Sequence, residues 1–332
     1  MRIRFNYTAT SIRKIKDSKK PIFNDIEKDV IYTFSGKSSL ALLLRYYRQS
    51  GKLKNKSEQV LVSPWMGYWI YMTMDKFCFP TTVFNENVRG ILLYHQWGFP
   101  QKTDEILSFC KEKKLFCIED CAHAFQSFYQ GKRLGTFGDA SLFSLAKFFP
   151  SVVGGAIWTK SDKMKTFIKK TLSEHESDLA RKAFAHRIKL DSYPTKKNYI
   201  ELERYYVIYD KLLKCPDYSL AAVRQQLING ALEIRRKNFN LFKEAFAGYD
   251  HMETLFKENV LPWAIPLFFR KKVCEKIATA LARENIESGV YHFDINRNML
   301  KPNFIECVAV PCHQGMATED VMKAIEIIRK SA

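Results

Sequence analysis

The sequence predicts an α/β protein built on a mainly parallel β-sheet with helices on both of its faces. Between about residues 30 and 160, short apolar runs alternate with amphipathic stretches. Buried strands are predicted at residues 59–63, 90–94, 115–118 and 155–158. Continuous apolar strands separated by helices are typical of a parallel sheet that is covered on both sides. Ligands of such sheets bind at the carboxyl ends of the strands, which is where functional residues are expected.

The helices that accompany these strands are predicted from apolar periodicity and capping residues. A helix is expected at residues 103–113, with Thr103 as its N-cap. Residues 160–214 are charged and are predicted to be helical. One long amphipathic helix is predicted from about residue 219 to about residue 246.

The C-terminal part of the chain predicts a smaller α+β unit. It contains a strand-like run at residues 263–269, a helical pattern at residues 272–284, and a final helix that begins near Thr318. We therefore expect two domains. Residues 1–215 would form the large α/β domain, with an N-terminal arm, and residues 216–332 would form the long helix and the small domain.

The composition is that of a folded protein and favours a soluble, cytoplasmic one. The 332 residues are 46% apolar and 14% aromatic, so they can bury a large core. We expect no secretory signal, because the basic N-terminus leads into no apolar stretch. The longest apolar-rich run, residues 140–158, is interrupted by Lys147, Pro150 and two glycines, so no membrane span is expected there. The eight cysteines form no CxxC pair. Buried free thiols in a reducing compartment are expected, with no metal site.

The formal net charge of +18 admits several kinds of anionic partner, including nucleic acid and membranes. The basic residues are concentrated at 160–170 and 181–197, where they alternate with acidic ones at helix-compatible spacing. Such mixed runs are usually solvated helix faces. Since no nucleic-acid-binding motif accompanies them, we expect no nucleic-acid partner and no membrane partner. A basic nucleic-acid-binding protein remains an alternative hypothesis.

A strand-like run that ends in Ser35 and Gly36 leads directly into an apolar helix. Lys37, Ser38 and Ser39 form the start of that helix. Because the first backbone N–H groups of a helix are unpaired and its N-terminus is electropositive, this turn can bind a phosphate. An ordinary helix cap would give the same sequence, and both interpretations stay open.

Two carboxylates, Glu119 and Asp120, follow the apolar run at residues 115–118. This position places Asp120 at the carboxyl edge of the predicted sheet. A carboxylate there can pair with a cationic ring nitrogen of a ligand. It could equally cap the helix that follows, and the residues alone do not decide between the two.

Lys147 lies in an apolar stretch, between Leu145-Ala146 and Phe148-Phe149, and a Gly154-Gly155 pair follows. Lysine is rare in such surroundings unless its amine has a partner or a chemical task. Removal from water favours the neutral amine, which can form a Schiff base with an aldehyde. A surface lysine with a buried stem is the alternative. A phosphate-binding helix start, a carboxylate and a lysine are together what pyridoxal 5'-phosphate requires.

The sequence resembles the DegT/DnrJ/StrS family of pyridoxal-phosphate-dependent sugar aminotransferases, most densely over residues 90–159. The segment at 94–100 is similar to that family's His-x-x-Gly-x-Pro turn. Residues 119–123 match its Glu-Asp-x-Ala-Gln/His segment, and residues 131–139 resemble its Gly-Lys-x-x-Gly-x-x-Gly-Asp stretch. The resemblance implies the type I fold of this cofactor class, with a mainly parallel seven-stranded sheet and a smaller C-terminal domain.

The resemblance also implies roles for individual residues. Lys147 would hold the cofactor through its aldehyde and later move a proton between substrate and cofactor. Asp120 would keep the ring nitrogen protonated, and His123 would contact the ring hydroxyl. Phosphate binding would fall to Ser144 and to the turn of Gly36, Lys37, Ser38 and Ser39, while Tyr68, or else Trp65, would stack on the ring.

The implied reaction is a ping-pong, Schiff-base transfer of an amino group from an amino acid, glutamate, to a nucleotide-linked keto-sugar. The implied assembly is a homodimer with active sites at the interface.

Several positions depart from the family pattern. Gly36-Lys37 stands where family members usually have Gly-Thr, Ser144 and Lys147 are unusually close, and Pro216-Asp217-Tyr218 replaces an Asn-Tyr-Arg segment. A catalytically degenerate member that binds or regulates is the alternative, whereas dehydration, which relatives with histidine in place of the lysine perform, is disfavoured by Lys147.

Overall fold

The computed structural model describes residues 3–7, 18–174, 182, 184–185 and 211–332. Within these residues the strands are β1 (Val30–Thr33), β2 (Gln59–Leu61), β3 (Phe79–Thr81), β4 (Val88–Tyr94), β5 (Phe116–Cys121), β6 (Phe128–Tyr129), β7 (Lys132–Arg133), β8 (Ala140–Ser144), β9 (Gly155–Trp158), β10 (Ala264–Leu267), β11 (Gly289–Asp294) and β12 (Phe304–Pro311). The helices are α1 (Gly36–Gln49), α2 (Tyr68–Met74), α3 (Thr103–Lys113), α4 (Asp162–Ser173), α5 (Asp217–Ile228), α6 (Ala231–Phe246), α7 (Met252–Phe256), α8 (Lys271–Arg283) and α9 (Thr318–Ser331).

Seven strands form the main sheet, in the order β1-β9-β8-β5-β4-β2-β3. The pairs β8–β5, β5–β4, β4–β2 and β2–β3 are parallel. Strand β9 runs antiparallel to both of its neighbours. The prediction of a mainly parallel seven-stranded α/β sheet is therefore confirmed. A second, antiparallel sheet of order β10-β12-β11 lies in the C-terminal part, and β6 and β7 form a hairpin.

All four strands predicted in the large sheet are present, but the parallel direction expected for residues 155–158 is wrong. A parallel return requires a crossover of roughly a dozen residues or more, usually with a helix. The connection from β8 to β9, residues 145–154, contains only a short 3-10 turn, Leu145–Lys147. Because this connection is so short, the chain turns back and β9 pairs antiparallel with β8.

The helix predictions hold in part. Residues 219–246 form two helices, α5 and α6, because the chain breaks at Gly230, whose φ of 73° is left-handed. Thr103 does not cap α3: it is the first helical residue, and its hydroxyl donates to the carbonyl of Gln101 at 3.0 Å. Of the charged segment 160–214, α4 confirms the helical prediction, and residues 175–181, 183 and 186–210 lie outside the described residues.

Four apolar clusters among the described residues hold these layers together, and two of them position α1 and α6. Helix α1 buries Leu40, Leu42, Leu43 and Leu44 completely against the main sheet. In the C-terminal part, α6 contributes three buried phenylalanines to a cluster with β10, β12 and α9. Burying apolar surface contributes roughly 25 cal/mol for each Å² removed from water, so these faces fix where α1 and α6 lie. The start of α1 is thereby held at the edge of the main sheet. The boundary at residues 215 and 216 stays a prediction.

No helix among the described residues combines the length and the apolar character that a membrane span requires. All eight cysteines fall within the described residues, and all are buried and free, as the sequence predicted.

Candidate active site

A cavity of about 290 Å³ lies at the carboxyl ends of β5 and β8, beside the start of α1. Its wall includes Asp120, His123, Ser144 and Lys147. This is the edge of the sheet at which ligands of parallel α/β proteins bind. The structure therefore brings together, in one cavity, residues that are separated along the chain but that the sequence assigned to a single site.

Asp120 is buried near the end of β5, and one of its carboxylate oxygens accepts the backbone N–H of Ala122 at 2.9 Å. Burial raises the pKa of Asp120 to about 6, against the lowering effect of that hydrogen bond and of the charges of His95 and Lys147. The carboxylate is thus ionised at neutral pH in surroundings that penalise its charge. Such a group gains free energy from a cation placed beside it.

Lys147 ends the 3-10 turn that follows β8 and is partly buried. Its Nζ lies 4.9 Å from the centroid of the Trp263 ring, so the amine rests over an indole face. The backbone N–H of Leu145 donates to the carbonyl of Gly154 at 2.9 Å, which closes the loop that carries the lysine. Gly154 has a φ of 136°, which side-chain-bearing residues rarely adopt. A glycine is therefore required where this loop closes.

The imidazole of His123 is held between two aromatic side chains. Its Nδ1 forms a 2.8 Å hydrogen bond with the hydroxyl of Tyr94. Its ring stacks on Trp263 with centroids 4.2 Å apart and planes 9° apart. Burial lowers the pKa of His123 well below its usual range, and the nearby charge of Lys147 acts in the same direction. His123 is consequently neutral at physiological pH and can offer one donor and one acceptor.

The start of α1 faces the cavity through Gly36 and Lys37, close to Ser144. A Cβ placed on Gly36 would come within 3.2 Å of the Ser144 Cβ, so helix start and strand end are in close contact. The side chains of Ser38 and Ser39 are buried away from this wall. The Ser38 hydroxyl donates to the carbonyl of Lys211, and the Ser39 hydroxyl bonds to Thr33. The phosphate turn predicted at Gly36 to Ser39 thus presents only its first two residues to the cavity.

Of the aromatic side chains within residues 65–69, Trp69 lines the cavity, whereas Tyr68 and Trp65, the residues predicted to stack on the cofactor ring, do not line it. Which aromatic side chain stacks on that ring stays a prediction. Tyr68 is the first residue of α2 and is 65% exposed. Trp65 is 52% exposed, and its ring stacks on His292 at 4.0 Å. Successive helical residues point in directions about 100° apart, so a shift of one position exchanges solvent for cavity. The Nζ of Lys37 lies 4.9 Å from the Trp69 ring.

Tyr94, Trp263 and Val152 are among the residues at or beside the cavity that the sequence did not identify. Tyr94 ends β4 and begins the segment at 94–100 that resembles the family's turn. Because β4 and β5 are adjacent parallel strands, a contact between Tyr94 and His123 could have been expected. Trp263 comes from the C-terminal part, and no local pattern links it to Lys147. Val152 lines the cavity with a φ of 66°. A left-handed backbone is a genuine outlier for a β-branched residue, and the sequence carries no signal for it.

One group of buried side chains has the composition of a metal site: His95, Glu119 and Cys121 offer ligand atoms within 4.8 Å of one another. The carboxylate of Glu119 already accepts the backbone N–H groups of Gly135, Phe137 and Gly138, and it contacts His95 at 3.2 Å. Its oxygens are therefore occupied by the loop before β8. We interpret the group as the anchor of that loop.

The fold is that of solved sugar aminotransferases. PseC of Helicobacter pylori, an aminotransferase involved in the biosynthesis of pseudoaminic acid, matches with a TM-score of 0.72 at 16% identity, covering 100% of this chain and 99% of its own. A chain described as a sugar aminotransferase from Streptococcus pneumoniae, in its PLP form, matches with a TM-score of 0.63 at 14% identity, covering 95% and 93%.

The protein belongs to the DegT/DnrJ/EryC1/StrS aminotransferase family, whose model matches residues 81–329. This confirms the resemblance seen in the sequence, and family membership indicates pyridoxal phosphate as the cofactor. Among curated relatives, GDP-perosamine synthase of Escherichia coli O157:H7 is 48% identical over 56 residues, 17% of this chain and 15% of that enzyme. A dTDP-4-dehydro-2,6-dideoxy-D-glucose 3-dehydratase of Saccharopolyspora spinosa is 39% identical over 85 residues, 25% of this chain. The matched stretch spans 18% of the dehydratase.

Replacement of Gly155 by alanine should disable cofactor binding. A Cβ at Gly155 would lie 2.3 Å from the carbonyl carbon of Ser35 and 2.7 Å from the backbone nitrogen of Gly36, so the start of α1 must move. We expect Gly155→Ala to lower the free energy of unfolding by about 1–3 kcal/mol. We also expect it to weaken binding of pyridoxal phosphate by at least roughly tenfold, as measured by absorbance titration.

Gly67→Ala is the matched control. Gly67 lines the cavity, but a Cβ there meets no atom within 4 Å, and its φ is −61°. Cofactor affinity in this control should stay within about twofold of the unaltered protein. Equal affinities for Gly155→Ala and Gly67→Ala would contradict the tight packing described for Gly155.

Proposed function

We propose that this protein is a pyridoxal-phosphate-dependent aminotransferase that transfers an amino group from an amino acid to a nucleotide-linked keto-sugar. The observation that carries the proposal is the shared cavity of Lys147, Asp120 and His123 beside a helix start, in a chain of this family. The curated relatives named for GDP- and dTDP-linked sugars support the acceptor class. Because their matched stretches are short, substrate class rests on the family and the cavity together.

The residues around the cavity fit the cofactor at three points. The buried carboxylate of Asp120 gains from a cationic ring nitrogen, since burial already penalises its charge. The start of α1, with Gly36, Lys37 and Ser144, suits a phosphate because a helix N-terminus attracts anions. Lys147 supplies the amine. When bound, pyridoxal phosphate supplies an aldehyde, which condenses with an amine with loss of water, and a ring that accepts electrons from the adjacent carbon.

Each of these residues then has a task in the transfer. Lys147 binds the cofactor and, once released, moves a proton with its Nζ to and from the reacting carbon of the substrate. Asp120 holds the proton on the ring nitrogen. His123, neutral and fixed by Tyr94, orients the ring through a hydrogen bond to its hydroxyl. Trp263 covers the amine of Lys147 and the imidazole of His123, which limits the access of water to both.

Glutamate is proposed as the amino donor, as the family resemblance implies, and a ping-pong order follows because donor and acceptor use the same cavity in turn. The presence of lysine at position 147 favours amino transfer over dehydration, the reaction named for one curated relative. We also propose a cytoplasmic location, which the eight free thiols support.

A homodimer is proposed on the distribution of exposed apolar side chains. Six of the eleven large ones among the described residues fall within residues 65–84, which include α2 and the edge strand β3: Trp65, Tyr68, Met72, Phe79, Val83 and Phe84. Concentrated exposed apolar surface, especially at a sheet edge, marks a protein interface. The same segment contributes Trp69 to the cavity wall, so the interface would adjoin the site.

The covalent role of Lys147 can be tested by colour. Purified protein supplied with pyridoxal phosphate should show near-visible absorbance that borohydride bleaches, and Lys147→Ala should show none, because this variant lacks the amine proposed to bond the aldehyde. Lys113→Ala, which alters an exposed lysine on α3, should retain the full band. Added glutamate should shift the band as the amino group is taken up. A colourless unaltered protein would rule out the proposed function. An absorbance band that does not shift when glutamate is added would rule out glutamate as the amino donor.

The raised pKa of Asp120 predicts a pH-dependent effect of Asp120→Asn on the cofactor-free protein. In the folded chain the carboxyl group keeps its proton up to about pH 6, whereas its usual pKa is 3.8. The folded state therefore binds more protons between these values, and stability falls as pH rises through that window. Asp120→Asn removes this loss.

At pH 7.5, cofactor-free Asp120→Asn should be more stable than the unaltered protein by about 1–3 kcal/mol. The difference should vanish below about pH 4, as measured by urea unfolding across pH. The same variant should lose on the order of 100-fold or more in transfer rate, because its amide cannot keep the ring nitrogen protonated. Equal stability of the two proteins at pH 7.5 would contradict the conclusion that burial penalises the charged carboxylate of Asp120.

The proposed interface predicts that a charge within residues 65–84 produces monomers. Met72→Asp and Val83→Asp alter side chains that are 45% and 68% exposed, so the folded chain should tolerate both. Light scattering should report a dimer for the unaltered protein and a monomer for either variant, since an unpaired charge in an interface costs several kcal/mol. Met322→Asp changes an equally exposed methionine on α9 and should remain dimeric. If all three variants remain dimeric, the interface does not lie within residues 65–84.

A further inference from the structure

Arg235 on α6 is a completely buried cation that pairs with no carboxylate in the part of the chain that the structure describes. Its exposed fraction is 0%, and among the described residues no carboxylate lies within ion-pair distance of its guanidinium. One of its terminal nitrogens, Nη2, is buried with no hydrogen-bond partner. Burial lowers the pKa of Arg235 to about 10, which leaves the group charged at neutral pH. Burying an uncompensated charge is costly, so its contacts call for explanation.

The contacts of Arg235 converge on the two chain segments that flank the amine of Lys147. Its guanidinium lies 4.7 Å from the centroid of the Phe148 ring, and Phe148 directly follows the lysine. Its Nη1 donates to the carbonyl of Pro262 at 3.0 Å, and Pro262 directly precedes Trp263. The Trp263 ring is the surface over which the Lys147 Nζ lies.

Gln314, which follows β12, completes this arrangement. Its side-chain oxygen accepts from the Nε of Arg235 at 3.2 Å, and its side-chain nitrogen donates to the carbonyl of Phe148 at 2.5 Å. The segment after Lys147 is therefore held twice, through the ring of Phe148 and through its carbonyl. This segment has little regular structure of its own, and it includes Val152 in a strained conformation. The contacts with Arg235 and Gln314 add to the backbone hydrogen bonds within the loop and fix the segment that directly follows Lys147.

We propose that Arg235, acting through Gln314, is a positioning residue that fixes the amine of Lys147 over the face of Trp263 and toward the cofactor aldehyde. The inference rests on the proposed function, because it assigns to Lys147 the covalent attachment of the cofactor. A planar guanidinium suits this task, since it can stack on a ring and donate in several directions within one plane. Leucine or methionine could fill the same space but could not bond Pro262 and Gln314 together.

The test measures how fast cofactor-free protein attaches pyridoxal phosphate, from the rise of near-visible absorbance in a stopped-flow instrument. Gln314→Leu and Arg235→Met should slow attachment by on the order of 10–100-fold, because displacing a reacting group by about 1 Å has effects of this size. The attachment rate of Arg235→Lys should lie between the rates of these variants and that of the unaltered protein. Lysine keeps the positive charge but lacks the planar guanidinium that donates to both Pro262 and Gln314.

Two controls separate positioning from general damage. Arg133→Met removes another buried arginine, one that stacks on Phe23 and Phe125 and makes no contact with Gln314 or Pro262. It should lower the thermal midpoint yet leave the attachment rate within about twofold. Binding of pyridoxamine phosphate, which has no aldehyde and needs no lysine bond, should also stay within about twofold in Gln314→Leu.

Attachment by Gln314→Leu at the rate of the unaltered protein would overturn the inference and leave the proposed function intact. If Arg235→Met fails to fold, Gln314→Leu alone decides, because its replacement keeps the size of a partly buried side chain. Loss of pyridoxamine phosphate binding in Gln314→Leu would also overturn the inference. Such a loss would mean that the substitution damages the cavity as a whole and does not act through the position of the Lys147 amine. An unaltered protein that forms no band would overturn the proposed function and this inference together.

Discussion

The site depends on the close crossing of β9 and the start of α1. Gly155 lies so near the backbone of Ser35 and Gly36 that no side chain fits between them, and the backbone N–H of Gly154 donates to the carbonyl of Phe34 at 2.8 Å. The loop that carries Lys147 closes on the same Gly154. The pair Gly154 and Gly155 therefore fixes two positions: that of the helix start, where an anion can bind, and that of the loop that carries Lys147. Bulk at either position would separate the two halves of the site.

Within the cavity, burial acts on the acid and the base in opposite directions, and each is driven toward its neutral form. The pKa of Asp120 rises to about 6, and that of His123 falls well below its usual range. A ligand with a cationic ring nitrogen would reverse the effect for Asp120 and leave His123 neutral. The buried carboxylate of Asp120 is therefore suited to a ligand that places a cation beside it.

The sequence predicted the parts of the fold and site that depend on local patterns. Strand ends are marked by short apolar runs, so the positions of Asp120 and Lys147 at one edge of the sheet followed from residues near each of them. The direction predicted for residues 155–158 was wrong because it depends on the length of the connection between β8 and β9. The contacts of Trp263 and Arg235 arise from packing between distant segments, so no local pattern predicts them.

Val152 shows how the shape of a binding cavity can be coupled to thermal tolerance. A β-branched residue with a φ of 66° costs about 1–3 kcal/mol relative to a relaxed backbone. Glycine would relieve that strain and would at the same time remove the isopropyl side chain from the cavity wall. Laboratory evolution for heat resistance would therefore tend to enlarge the ligand space of this protein, even if no ligand were present during selection.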